Sequence, residues 1–411
     1  MGIEERRVEL DELVVGMYVS RLDRDWTETP YPLQGFLVAS VDDIAELRRH
    51  CDYVFVDAER SEGAARALQR SRRPTRSVDA RRRDYDRLRG SVCYVDTATV
   101  EQEAGPAREA YARAAAVTGR IVEDIRAGRA LAAEDVEEAV EPVVASILRS
   151  ADAFIWIDSI KQRDAYLYSH AINCAALATL YGRHMGYPQD VLLDLASGGL
   201  LLDIGKVELP VDLLAHTGPL DAGQRGLMRG HVEAGVRLLE ATNLDNPHVM
   251  EMVRGHHERD DGSGYPLGLP GGQIPVLARV AGVIDSFDAM TSDRPHCAAI
   301  GRHEALQVLY RARDALYHAE TVEQFMHCLS IYPTGSLVEL NTGEVAIVMA
   351  QNQARRLRPR IMLLTGPDKQ VDDRFPVVDL LARPAQGEGA VLIVRALDPG
   401  TYGIDPAELY L

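Results

Sequence analysis

The chain has 411 residues, 46% of them hydrophobic and 26% charged, with a formal net charge of -17. The length exceeds what one hydrophobic core usually serves, so two or three domains are expected. The acidic balance argues against a nucleic-acid polymer as partner, and no apolar run approaches the roughly 20 residues of a membrane span.

Residues 1–65 hold the short apolar stretches LVVGMYVS, GFLVAS and YVFVDA, which predict a small strand-rich regulatory module. Residues 66–104 form an Arg-rich linker; between 61 and 89 there are ten arginines and four acids, read as a solvated segment rather than a phosphate site. From 105 to 158 the apolar spacing is helical, with Asp135 and Glu137 suited to a helix start. Residues 159–330 are predominantly helical, with segments expected at 164–184, 190–203, 224–239, 246–257, 275–291 and 301–328. Residues 331–411 read as a β-rich extension, in which NTGE marks a hairpin. The expected fold is therefore mainly α, with small β-rich parts at both ends.

Cys51, Cys93, Cys174, Cys297 and Cys328 are dispersed and odd in number, so neither a disulfide framework nor a cysteine metal pair is expected. With no apolar signal core in MGIEERRVELDEL, a cytoplasmic protein without membrane insertion is expected.

Eleven of the twelve histidines lie between positions 170 and 327, which places any chemistry in the second half. Asp203, His231, His256, His257 and Asp285 recur at the ends of helical segments, and His170 lies inside the first. Imidazoles and carboxylates of this kind can hold two transition metals, and a shared carboxylate can bridge them. Five of the six also have a plainer reading: His170 as a core histidine, Asp203 as a turn cap, Asp285 as a local contact, His256 and His257 as surface residues. The phrase HHERDDGSGYPLGLPGGQIP favours a shaped pocket wall, because its glycines free the backbone and its prolines restrict it.

The ordered series DIGK at 203–206, RGHVEAG, HHERDDGSGYP at 256–266, IPVLARVAGVIDSFDAM and SDRP at 292–295 resembles the HD-GYP family of the HD phosphohydrolase superfamily. The N-terminal module also resembles the small domain that often precedes HD-GYP. That resemblance implies an all-helical core and a phosphodiesterase that hydrolyses cyclic di-GMP to pGpG or GMP with two divalent metals, iron or manganese. It assigns His170, Asp203, His231, His256, His257 and Asp285 as metal ligands, with Asp203 as the bridge. It also places Lys206, with Asp203, in the catalytic apparatus, and Lys206, Arg294, Gly264, Tyr265 and Pro266 in substrate binding. GGDEF-domain cyclases and a second copy of the chain are the protein partners it implies.

The sequence departs from the family at three places. Leu202 stands where the His-Asp pair has its histidine, and it has no lone pair to give, so the occupancy of the first metal site is in question. Tyr166 replaces the glutamate of three-metal members, which argues against a third metal. RPHC replaces the usual RPY followed by a basic residue. Two functions are therefore expected to compete: a phosphodiesterase with an altered first site, and a catalytically impaired sensor or adaptor binding nucleotide, metal or a cyclase.

Overall fold

The computed structural model describes residues 4–24, 29, 36–57, 61, 76–77, 89–160, 166–242, 246–293, 298–352, 355–372, 374–384 and 389–404. The chain divides into two compact units: Met1–Arg89 with Arg383–Ala390, and Gly90–Ala382 with Val391–Leu411.

In the first unit, β1 (Glu4–Glu9), β2 (Tyr18–Leu22), β3 (Phe36–Leu37), β4 (Tyr53–Asp57) and β5 (Arg76–Ser77) form an antiparallel sheet in the order β3-β2-β4-β1-β5. Val54 and Val56 alternate onto one face and are fully buried, with Val8 opposite Val54 and Val19 opposite Val56. The strand-rich expectation overlooked α1 (Val41–His50), whose start is fixed by a capping box between Ser40 and Asp43. Its buried Ile44 and Leu47 lie three residues apart, the helical spacing.

The second unit opens with α2 (Val100–Arg126) and α3 (Ala133–Arg149), which pack on each other. Ala107, Ala110, Ala114, Val117 and Ile121 form the buried stripe of α2, and their small side chains allow a close approach. There follow α4 (Ala153–Ile160), α5 (Tyr166–Met185), α6 (Gln189–Leu201), a 3-10 turn (Ile204–Glu208), α7 (Val211–Leu214), α8 (Ala222–Arg229), α9 (His231–Glu240), α10 (Pro247–Gly255), α11 (Val276–Thr291), α12 (Arg302–Arg311) and α13 (Ala319–Leu329). The helix expected over 224–239 is two helices meeting at Gly230. The one expected over 301–328 breaks after Arg311, and Asp314 there takes a left-handed φ of 61°, a conformation that aspartate tolerates. Helices α5, α6, α10 and α11 pack around one another, and the side chains described below come from their ends and inner faces.

The tail forms a second antiparallel sheet, β10-β6-β7-β8-β9, from β6 (Leu337–Leu340), β7 (Val345–Ala350), β8 (Arg360–Leu363), β9 (Val377–Asp379) and β10 (Ile393–Leu397). The NTGE segment joins β6 to β7 as a hairpin, with Leu340 N–H donating to Glu344 O. Val338, Val348, Ile361 and Leu380 fill its core. Asp152, beside α4, accepts hydrogen bonds from Thr334 Oγ1 at 2.6 Å and Gln351 N–H at 2.8 Å, tying helices to sheet within this unit. The fold is thus mainly helical with two small sheets. Among the described residues no helix is long and apolar enough to cross a membrane.

Candidate metal centre

The run GGLLLDIGK ends α6 at Leu201, passes Leu202, and tightens into the 3-10 turn with Asp203 at its start. Gly205 makes this placement possible. A Cβ there would sit 1.9 Å from His231 O, so any side chain would push the turn off the start of α9. Asp203 consequently lies beside His231, the first residue of α9, and His256, which caps the end of α10. His170 comes from α5, and Asp285 from α11.

The two oxygens of Asp203 face different groups. Oδ1 lies 3.2 Å from His231 Nε2 and 4.0 Å from His256 Nε2; Oδ2 lies 3.4 Å from His170 Nε2. His170 Nε2 is also 3.3 Å from Asp285 Oδ1, and His257 Nδ1 is 3.8 Å from Asp285 Oδ2. Two ligand-like sets result, Asp203 with His231, His256 and His257, and His170 with Asp203 and Asp285. Lys206 donates to Asp203 Oδ2 from a side chain that is 22% exposed, so its ammonium borders the set without being sealed inside it.

The imidazoles are oriented from behind. His231 Nδ1 donates to Met228 O at 2.7 Å and His256 Nδ1 to Val253 O at 2.9 Å, which leaves both Nε2 atoms as lone-pair donors when the rings are neutral. These two Nε2 atoms are 3.3 Å apart, and Asp203 Oδ1, also buried, has no hydrogen-bond partner among the described residues. Three lone-pair atoms converging without a proton donor are an arrangement that a divalent cation satisfies, and nitrogen with carboxylate oxygen suits a transition metal. The residues therefore fit a metal.

The electrostatics agree. Burial pushes His256 down to about 4, and burial followed by the neighbouring His256 holds His257 well below its ordinary value. Both rings are thus neutral at pH 7. Burial opposes the charge on Asp203, but Lys206, His170 and His231 outweigh it and hold the carboxyl well below the usual range. Burial likewise opposes charge on Asp285, and His170 and His257 overcome it. For His170, burial disfavours protonation, yet Cys174 and the carboxylates of Asp203, Asp285 and Asp288 raise it well above 6.5. Positive charge at that point is strongly favoured, whether carried by a proton or by a metal.

The loop after His257 forms one wall. A Cβ on Gly264 would lie 2.4 Å from Arg259 N and 2.5 Å from His257 O, so only glycine lets the loop fold back here. Tyr265 then donates its N–H to His257 O and stacks its ring on His257, with centroids 4.5 Å apart. Pro266 follows through a cis peptide. Buried Glu258 accepts from Leu267 N–H and Leu269 N–H, both at 2.8 Å, pinning the far side of the loop.

Leu202 is 1% exposed, an apolar side chain next to the shared carboxylate. Arg294, with Pro295, His296 and Cys297, lies outside the described residues, as does the side chain of Tyr166.

Sequence reading missed Asp288, one helical turn after Asp285. Its Oδ2 accepts from His170 Nδ1 at 2.7 Å while its Oδ1 accepts from Asn173 Nδ2 at 2.9 Å. The signal was the D-x-x-D spacing, which puts both acids on one helix face. Asp288→Ala is expected to weaken metal binding by about 10 to 100-fold by releasing the ring of His170. Metal titration of the variant checks this, and unchanged affinity would exclude an orienting role. Cys174, one turn after His170, has its Sγ 3.8 Å from both ring nitrogens, but burial pushes its thiol up to about 12, which disfavours the thiolate.

Comparison with known proteins gives three family matches: an HD domain over residues 155–320, a domain of unknown function over 5–136, and a KOW domain associated with HD domain over 337–404. The chain is 29% identical to the cyclic di-GMP phosphodiesterase PA4108 of Pseudomonas aeruginosa, over 98% of this chain and 93% of that one. It is 33% identical to a cyclic di-GMP phosphodiesterase of Thermotoga maritima over 40% of this chain and 45% of the relative. Identity to 3'3'-cGAMP-specific phosphodiesterase 2 of Vibrio cholerae is 32%, over 39% and 30% of the two chains. The chain thus spans under half the length of these last two relatives. A solved structure, Bd1817 from Bdellovibrio bacteriovorus, described as a HDG"Y"P protein, aligns over 79% of this chain and 99% of that one, with 13% identity and a TM-score of 0.46.

Proposed function

We propose that this chain, which belongs to the HD-GYP family of HD-domain proteins, is a metal-dependent phosphodiesterase acting on cyclic di-GMP in bacterial second-messenger signalling. One observation carries the reading: a single buried carboxylate, Asp203, turns one oxygen to His231 and His256 and the other to His170. The near full-length likeness to a relative named for cyclic di-GMP supports that substrate.

Two divalent transition metals, iron or manganese, would be held by His170, Asp203 and Asp285 and by Asp203, His231, His256 and His257, and would supply Lewis-acid neutralisation of the phosphoryl charge. Asp203 and Asp285, both buried, supply the negative charge of the cluster. His231 and His256, tied through Nδ1 to backbone carbonyls, present preoriented lone pairs. Lys206, at the border of the set, stabilises charge on the phosphoryl oxygens and can pass a proton to the leaving oxygen. Hydrolysis adds water across one P–O3' bond, giving a 5'-phosphate and a free 3'-hydroxyl, so the first product is pGpG and a second cleavage gives GMP. Gly264, Tyr265 and Pro266, folded back on His257, would border the bound substrate, and the family resemblance assigns Arg294, outside the described residues, to its phosphate.

A second reading is favoured by Leu202. The set around His170 has three candidate protein ligands and a buried leucine beside it, which suits a sensor or adaptor that binds cyclic di-GMP or one metal and contacts GGDEF-domain cyclases.

The test is metal content measured with turnover of cyclic di-GMP and of 3'3'-cGAMP, on protein prepared without oxygen and supplied with iron or manganese. Two metals and steady pGpG release, faster from cyclic di-GMP, support the enzyme. At most one metal and no turnover with nucleotide binding retained supports the sensor; preference for 3'3'-cGAMP overturns the substrate assignment.

A further inference from the structure

We propose that Arg229 is a substrate contact for the phosphate of the cyclic dinucleotide that is not being cleaved. This rests on the cyclic di-GMP reading above and extends it to one residue.

Arg229 ends α8, two residues before His231, and its side chain is exposed. Its guanidinium carbon lies 4.9 Å from the centroid of Tyr265, the ring that stacks on His257. Other arginines of this region are engaged elsewhere: Arg237 pairs with Glu208 at 2.8 Å and Arg254 with Glu240 at 3.2 Å, while Arg259 donates to the backbone oxygens of His256 and Glu258 and lies over Tyr317. Arg229 has no acidic partner among the described residues.

A guanidinium resting on an aromatic ring uses its face for that contact and keeps its N–H edge for an anion, which it can grip through two parallel hydrogen bonds. Tyr265 thereby acts as a positioning residue for Arg229, one step outward from the histidines. Lys206 is engaged with Asp203 at the cluster, so it serves a phosphate bound there. A cyclic dinucleotide carries its two phosphodiesters on opposite sides of one ring. With one at the cluster, the other points away from it, and Arg229, exposed two residues before His231 and against the Tyr265 ring, is the cation available to it. The chain's net charge of -17 repels a dianion, and an exposed cation beside Tyr265 counters this locally.

The test compares wild type, Arg229→Ala and Arg229→Lys in steady-state kinetics and equilibrium binding of cyclic di-GMP, alongside hydrolysis of bis(p-nitrophenyl) phosphate, which has a single phosphate. Arg229→Ala is expected to raise KM and Kd for cyclic di-GMP about tenfold and change kcat less than about threefold, the mark of a contact made equally in ground and transition states. Its effect on the single-phosphate substrate should be much smaller, and Arg229→Lys should recover part of the loss because it keeps the charge but not the fork. KM and Kd within about twofold of wild type, or equal losses on both substrates, would overturn the assignment. If wild type neither binds nor cleaves cyclic di-GMP, the functional reading itself fails, and this inference with it.

Discussion

Asp203→Asn is expected to lower phosphodiester turnover by roughly 10³-fold, the scale of losing a preorganised charge where charge develops, and to reduce the metal content below that of wild type. The side chain keeps its shape, yet its charge is gone and one oxygen becomes an NH2 group. Because Oδ1 faces His231 and His256 while Oδ2 faces His170, either amide orientation turns an N–H toward one of the two sets. An N–H competes with a cation for the imidazole lone pairs instead of joining them. Lys206 also loses its counter-charge. Metal analysis with circular dichroism separates this from unfolding, and a folded variant with the metal content of wild type would contradict the shared role of the carboxylate.

Leu202→His has the opposite sign. It is expected to raise metal occupancy of the set containing His170 and to increase turnover at least about tenfold, since a direct ligand counts for no less than the outer partners that orient ligands. Leu202 is buried, so without metal the new imidazole costs about 1–3 kcal/mol of stability, and bound metal offsets that cost. The signature is therefore paired: lower melting temperature without metal and a larger stabilisation on adding it. If occupancy and rate stay at the wild-type level in a folded variant, Leu202 is not what limits the site.

Much of this was legible in the residues. DIGK and HHERDDGSGYP stood out because metal-binding side chains coincided with helix ends and with glycines that free a loop. Most helices and the NTGE hairpin were also readable, since apolar spacing and turn chemistry are local. Reading failed where local signals competed. The stretch VDDIAELRRH carries a helical cap and stripe but sits among strands, and Gly230 divides a pattern that looks continuous over 224–239. Asp288 escaped notice because a second acid on a helix face is commonplace until its partner across the core is known.

By itself the sequence determined the inventory: helical core, β-rich ends, four histidines and two aspartates suited to metals, and a leucine where a ligand is expected. Only the tertiary structure decided how Asp203 divides its oxygens, which ring nitrogens face inward, that Gly205 and Gly264 are required by backbone approaches, and that Arg229 rests on Tyr265. The reason is physical. Residue type and spacing fix what an atom can do within one helix or loop, whereas lone pairs are aimed by contacts between segments distant in the chain.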